Sequence, residues 1–231
     1  MTEMTENPQT LTARLARMDT CVVSDALDRL AIAGVVRGIP CRSGTLRAAG
    51  RAVTVRLVPV GRAPAQEAGG KPRHLCTAAV AASGPGDVLV VSHPGGDMAG
   101  WGGVLSLAAA HRGIEGTLID GPCRDVDESR ELGYPVFAPS VTPVTARGRI
   151  AEASWNEPVD FAGVRVRPGD LVLADGSGIV VVPRDRGTET VELAESLAAR
   201  ESAMADAVRR GVPITEVMGA GYENHTVGGI R

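Results

Sequence analysis

Val88-Leu89-Val90-Val91 and Gly116-Thr117-Leu118-Ile119-Asp120 are apolar runs, each followed by a loop of unusual residues and then by a segment with helical spacing. The first loop is Ser92-His93-Pro94-Gly95-Gly96-Asp97-Met98-Ala99-Gly100-Trp101-Gly102-Gly103, and the second is Asp120-Gly121-Pro122-Cys123-Arg124-Asp125. Short apolar runs bounded by turn residues read as buried strands. With helices predicted over 104–112 and 125–132, the order is strand, helix, strand, helix, which predicts parallel βαβ units.

The pattern extends outward on both sides. Upstream, helices are predicted over 11–18 and 22–30, the second capped by Asp19 or Thr20. A loop over 34–44, a strand over 51–58 and a helix over 75–82 follow. Beyond Pro139 the chain turns β-rich, with strands at 164–166, 170–175 and 178–183, the last two joined as a hairpin by Asp175-Gly176-Ser177-Gly178. The longest helix is predicted over 188–210. No repeat or linker divides the chain, so the expectation is one α/β domain over 10–231 behind a flexible tail, 1–9.

Composition narrows the function classes. The 231 residues are 44% hydrophobic and 22% charged, the balance of a folded globular chain. With 24 basic and 27 acidic side chains the net charge is −3, unlike a dedicated nucleic-acid binder. Lys71 is the only lysine and sits in the turn-like Gly69-Gly70-Lys71-Pro72, so imine-forming catalysis has one unpromising candidate. The four cysteines form no CxxC pair, and His74, His93, His111 and His225 have no HxxxH spacing, which argues against zinc. No apolar run approaches the roughly 20 residues of a membrane span. A cytoplasmic protein with reduced thiols and no membrane partner is the expectation.

Both loops follow parallel strands, where open α/β sheets collect ligands. The glycines of the first loop bring amides to a helix start, either as an anion cradle or as a plain turn. Arg124 can grip a carboxylate through two N–H bonds. Asp125 can give one oxygen to Mg²⁺, or serve simply as a favourable acid at a helix start. His93 reads as a proton-transfer group or a polar loop contact, and Trp101 as packing.

The runs Gly100-Trp101-Gly102-Gly103-Val104-Leu105, Arg112-Gly113-Ile114-Glu115-Gly116, Ile119-Asp120-Gly121, Arg124-Asp125-Val126 and Gly133-Tyr134-Pro135-Val136-Phe137-Ala138 closely resemble the RraA-like family. The similarity runs from about Val23-Ser24-Asp25-Ala26-Leu27 to Val182-Pro183. That family contains 4-hydroxy-4-methyl-2-oxoglutarate/4-carboxy-4-hydroxy-2-oxoadipate aldolases with oxaloacetate decarboxylase activity, and regulators of ribonuclease E. The resemblance implies an α/β/β/α sandwich assembled as ring-shaped trimers, often stacked as hexamers. It implies Mg²⁺ or Mn²⁺ at Asp125, an arginine on the 2-oxo acid at Arg124, and a substrate carboxylate held by amides near Gly102, Gly103, Val104 and Leu105. Glu201 or Glu195 of a neighbouring subunit corresponds to a glutamate that reaches the family's site. One position departs from the pattern: the aldolases carry an aspartate where this chain has Gly103, with Asp97 a substitute in the same loop. The expectation is a metal-dependent C–C lyase acting on a small 2-oxo acid, decarboxylation ahead of retro-aldol cleavage. The alternatives are a non-catalytic regulator or binding protein, or a divergent enzyme reusing the metal site.

Overall fold

Helices α1 (Pro8–Leu15) and α2 (Thr20–Arg29) precede β1 (Val35–Val36), β2 (Ala48–Pro59), α3 (Thr77–Ala82), β3 (Asp87–Ser92), α4 (Gly103–His111) and β4 (Gly116–Ile119). Then come α5 (Val126–Glu131), β5 (Val136–Phe137), β6 (Ile150–Trp155), β7 (Val159–Phe161), β8 (Val164–Val166), β9 (Leu171–Ala174), β10 (Ile179–Val182), α6 (Gly187–Arg209) and α7 (Ile214–Val217). This computed structural model describes residues 8–44, 47–63 and 74–219. Lys71, His225 and most of the expected tail lie outside the described residues; α1 begins at Pro8, inside the segment read as tail.

Among the described residues there are ten strands, eight of them in one sheet ordered β1-β10-β9-β2-β3-β4-β5, with β6 added against β2. The strands β2, β3, β4 and β5 are mutually parallel, as the βαβ reading predicts. Because side chains alternate faces along a strand, each of these apolar runs feeds two cores. Leu89 and Val91 join Val55, Leu57 and Ile119 on the face packed with α3 and α4. Their neighbours Val88 and Val90 point the other way, toward Leu118, Val172, Ala174, Ile179 and Val181. On β9 and β10 the alternation repeats, with Leu171, Leu173, Val180 and Val182 packed against α1, α2 and α6. The sheet is therefore curled, two halves sharing an inner apolar layer with helices outside each, the α/β/β/α layering expected. The β7–β8 hairpin adds Val159, Phe161 and Val166 to that inner layer. Fully burying a side chain such as Phe161 or Phe137 contributes about 1.5–3 kcal/mol.

The predicted elements differ from the observed ones where local conformation intervenes. The helix expected over 75–82 starts at Thr77, because Cys76 is left-handed (φ 61°). The segment read as a loop over 34–44 contains β1, too short to show a period. Gly34 makes that pairing possible, since a Cβ there would lie 2.2 Å from the Val181 carbonyl oxygen. Asp19 caps α2 through a 2.9 Å bond from the Val22 amide. Among the described residues no helix is long and apolar enough to cross a membrane.

Candidate active site

The loops after β3 and β4 lie side by side at the carboxyl ends of their strands. They are laced by bonds from the Gly100 amide to the Pro122 carbonyl (2.9 Å) and from the Arg124 amide to the Trp101 carbonyl (3.0 Å). Trp101 is buried, stacks on Tyr134 at 6.5 Å and donates from Nε1 to Ser106 (2.9 Å), so it packs the floor, as its sequence reading had it. Above the floor is a cavity of about 590 Å³, walled by Gly102, Gly103, Val104, Leu105, Arg124, Asp125 and, opposite them, by Thr145, Arg147 and Ile150. That volume suits a small ligand.

Asp125 does two things at once. Its backbone, at φ 56° and ψ 40°, turns the chain into α5 without its side chain capping that helix. Its Oδ2 instead accepts from the Gly103 amide (2.9 Å) at the start of α4 and from Arg124 Nε (3.0 Å). Partial burial pushes the carboxyl up, but the Gly103 amide and Arg124 outweigh it and hold the group below the usual carboxylate range. Arg124, tied by Nε, keeps its two terminal nitrogens without an acceptor among the described residues.

The amide cradle is smaller than the sequence suggests. The Gly103 amide is taken by Asp125 and the Leu105 amide bonds to the Gly102 carbonyl (3.1 Å). The Val104 amide alone of these three has no acceptor among the described residues. Gly102 has to be glycine for the loops to close, since a Cβ would lie 2.8 Å from Asp125 Oδ2 and 3.1 Å from Arg124 Cγ.

Other candidates lie elsewhere. His93 is buried behind the cavity wall, wedged so tightly that a Cβ on Gly121 would lie 2.2 Å from its Cγ. Its Nδ1 accepts from the Gly95 amide (3.0 Å), and burial holds the imidazole below its ordinary pKa against a contact with the Met98 backbone. Asp97 is exposed and does not line the cavity. Glu195 and Glu201 are on α6, in the helix layer on the far side of the curled sheet; Glu195 pairs with Arg14 at 2.7 Å. Burial, then Asp25 and Asp19, push the Glu201 carboxyl up. Among the described residues no group of three or more His, Cys, Asp or Glu side chains converges on one point. Sequence reading missed Arg147, which carries no motif, and Glu128, hidden in an ordinary helical turn.

The RraA-like family model, described as Aldolase/RraA, matches residues 20–181. The chain belongs to the RraA-like family. A Deinococcus radiodurans protein provisionally named 4-hydroxy-4-methyl-2-oxoglutarate aldolase is 41% identical over 100 residues, 43% of this chain and 62% of that protein. The crystal structure of an uncharacterized Pseudomonas syringae protein superposes with a TM-score of 0.79 at 29% identity, covering 91% of this chain and 98% of its own. A Streptomyces coelicolor structure, described as an unusual member of the RNase ES inhibitor RraA family, gives 0.71 at 28% identity, covering 87% and 96%. The RraA-like chain spans from about a third to about three fifths of the length of the first curated relatives it matches.

Proposed function

We propose that this RraA-like protein is a divalent-metal-dependent lyase that breaks a C–C bond in a small 2-oxo acid. The observation that carries the reading is the Arg124–Asp125 pair, presented to a 590 Å³ cavity at the N-terminal end of α4. The donor set fits a hard cation: Asp125 keeps Oδ1 without a partner among the described residues, and Gly102 lets Asp125 and Arg124 close against the start of α4. A single protein carboxylate suits Mg²⁺ or Mn²⁺, which bind with several waters retained.

When bound, the cation would supply Lewis-acid polarisation of the 2-oxo group. Arg124 would grip the substrate with its free terminal nitrogens and stabilise negative charge as it develops. The Val104 amide, at the dipole-positive end of α4, would receive the carboxylate next to the 2-oxo group. Arg147, across the cavity, would take a second carboxylate. In decarboxylation the bond to the departing carboxylate breaks, its electron pair passes into the 2-oxo group as an enolate, carbon dioxide leaves, and the enolate carbon takes a proton. Retro-aldol cleavage needs in addition a base for the substrate hydroxyl. With glycine at 103, decarboxylation makes the smaller demand. The aldolase-type name of the Deinococcus relative supports the lyase class.

Similarity to the Streptomyces structure, described as an unusual member of an RNase inhibitor family, supports a second reading, a non-catalytic regulator; the Arg–Asp pair facing a cavity of substrate size favours the enzyme. A homotrimer or homohexamer in the cytoplasm completes the proposal, with α6 glutamates of one copy near the site of the next. The deciding experiment offers the purified protein a panel of mono- and dicarboxylic 2-oxo acids. Turnover is expected to stop with EDTA, return with Mg²⁺ or Mn²⁺, prefer dicarboxylates and survive Lys71→Ala. EDTA-resistant turnover with borohydride trapping at Lys71 would overturn it.

A further inference from the structure

Resting on that reading of Asp125, we propose that Glu128 supplies the second carboxylate of the cation site, filling from helix α5 the place a side chain on residue 103 would take. A Cβ built on Gly103 would lie 1.8 Å from Glu128 Oε2, 2.9 Å from its Cδ and 3.1 Å from Asp125 Cβ. The Glu128 carboxylate therefore lies over the first residue of α4, on the side where Asp125 accepts the Gly103 amide. Gly103 is outside the left-handed region, so backbone conformation does not require glycine there. What a Cβ there would meet first is the carboxylate end of the Glu128 side chain, which holds that space.

The local chemistry accounts for the placement. Glu128 is three residues beyond Asp125, in the first turn of α5, where a glutamate commonly folds back toward its own helix start. Its helical neighbour Asp127 is paired with Arg130 and turned to solvent, with 84% of its side chain exposed. The Glu128 side chain makes no ion pair or hydrogen bond among the described residues. Arg124 Nε and the Gly103 amide are both committed to Asp125 Oδ2, which leaves Asp125 Oδ1 and the Glu128 carboxylate without a partner among the described residues. A hard divalent ion accepting oxygen from both Asp125 and Glu128, directly or through a retained water, satisfies both.

The test is Mn²⁺ binding followed by electron paramagnetic resonance, which needs no substrate. Glu128→Gln is expected to weaken Mn²⁺ binding by roughly 10–100-fold, the usual loss when a supporting group of a metal site is removed. Asp127→Asn removes the same charge from the same helical turn but from a side chain paired with Arg130 rather than lying over Gly103, and should bind Mn²⁺ nearly as the parent does. Glu128→Ala should weaken binding as Glu128→Gln does, and Gly103→Asp in the Glu128→Ala background returns a carboxylate to the vacated space and should recover most of the affinity. If Glu128→Gln and Asp127→Asn bind Mn²⁺ equally well, Glu128 has no role at the cation and the proposal falls. Loss of Mn²⁺ in Asp125→Asn, with Glu128→Gln unaffected, overturns the Glu128 assignment and leaves the Asp125 reading standing. Failure of the parent protein to bind Mn²⁺ overturns both.

Discussion

Replacing Asp125 in turn by alanine, asparagine and glycine separates its capping from its backbone role. The side chain closes an orphan amide of α4 through Gly103 at 2.9 Å. Removing such a cap typically costs about 1 kcal/mol. The residue also sits at φ 56°, a conformation that costs an ordinary L-residue about 1–2 kcal/mol and a short polar one less. Alanine loses both and should destabilise by about 2 kcal/mol. Glycine loses the cap but tolerates the backbone, so about 1 kcal/mol is expected. Asparagine keeps an oxygen for the Gly103 amide and gives up only the half-exposed charge contact with Arg124, worth about 0.5 kcal/mol. Urea unfolding at pH 7 and one protein concentration, with unchanged slope, reads these differences directly. The gap between parent and Asp125→Asn also has a pH signature. The Asp125 carboxyl is held below its ordinary value, since the Gly103 amide and Arg124 outweigh burial. Its stabilisation is therefore present above the ordinary pKa of about 4 and fades as pH falls through the lower folded value. Equal stability of the alanine and asparagine variants would refute the capping argument, and an alanine variant no worse than glycine would refute the backbone one.

Two further substitutions probe the site and its support. Arg124→Lys should lower turnover by about 10²–10³, because an ammonium keeps the charge but loses both the planar fork and the Nε bond to Asp125; a near-parent rate constant for the preferred 2-oxo acid would show that the fork is not used. Gly121→Ala should destabilise by about 1–3 kcal/mol through collision with the buried His93 ring, and His93→Ala in the same chain should return part of that loss in thermal melts.

The parallel half of the fold was legible because its signals are local and repeated. Val88 to Val91 is apolar throughout and Leu118-Ile119 is the apolar centre of the next run, and a strand buried on both faces needs no alternation to be recognised. The curl of the sheet was a different matter. It follows from which alternate residues of β3, β4, β9 and β10 meet across the inner layer, a pairing over long sequence separations that no window of sequence contains. In the same way β1 was invisible, since two residues set no period and its partner β10 is far along the chain.

At the site the split is similar. Arg124 and Asp125 stood out because adjacent charges after a buried strand are conspicuous, and resemblance to the RraA-like family made them specific. His93 attracted attention for its residue type, yet the glycines at 100 and 121 mark it as a packed ring: they are small because the imidazole fills the space beside them. Gly103 illustrates the converse. Read along the sequence, a glycine at an acidic position is a loss. In three dimensions the volume it vacates is filled by Glu128, whose carboxylate reaches the same space from a different helix. Residue type at a position states what the backbone carries there; it does not state which atoms occupy the space. A carboxylate supplied from α5 leaves Gly103 free to let α4 start close against Asp125. The two features, the bare α4 start and the acid over it, are thus one packing solution.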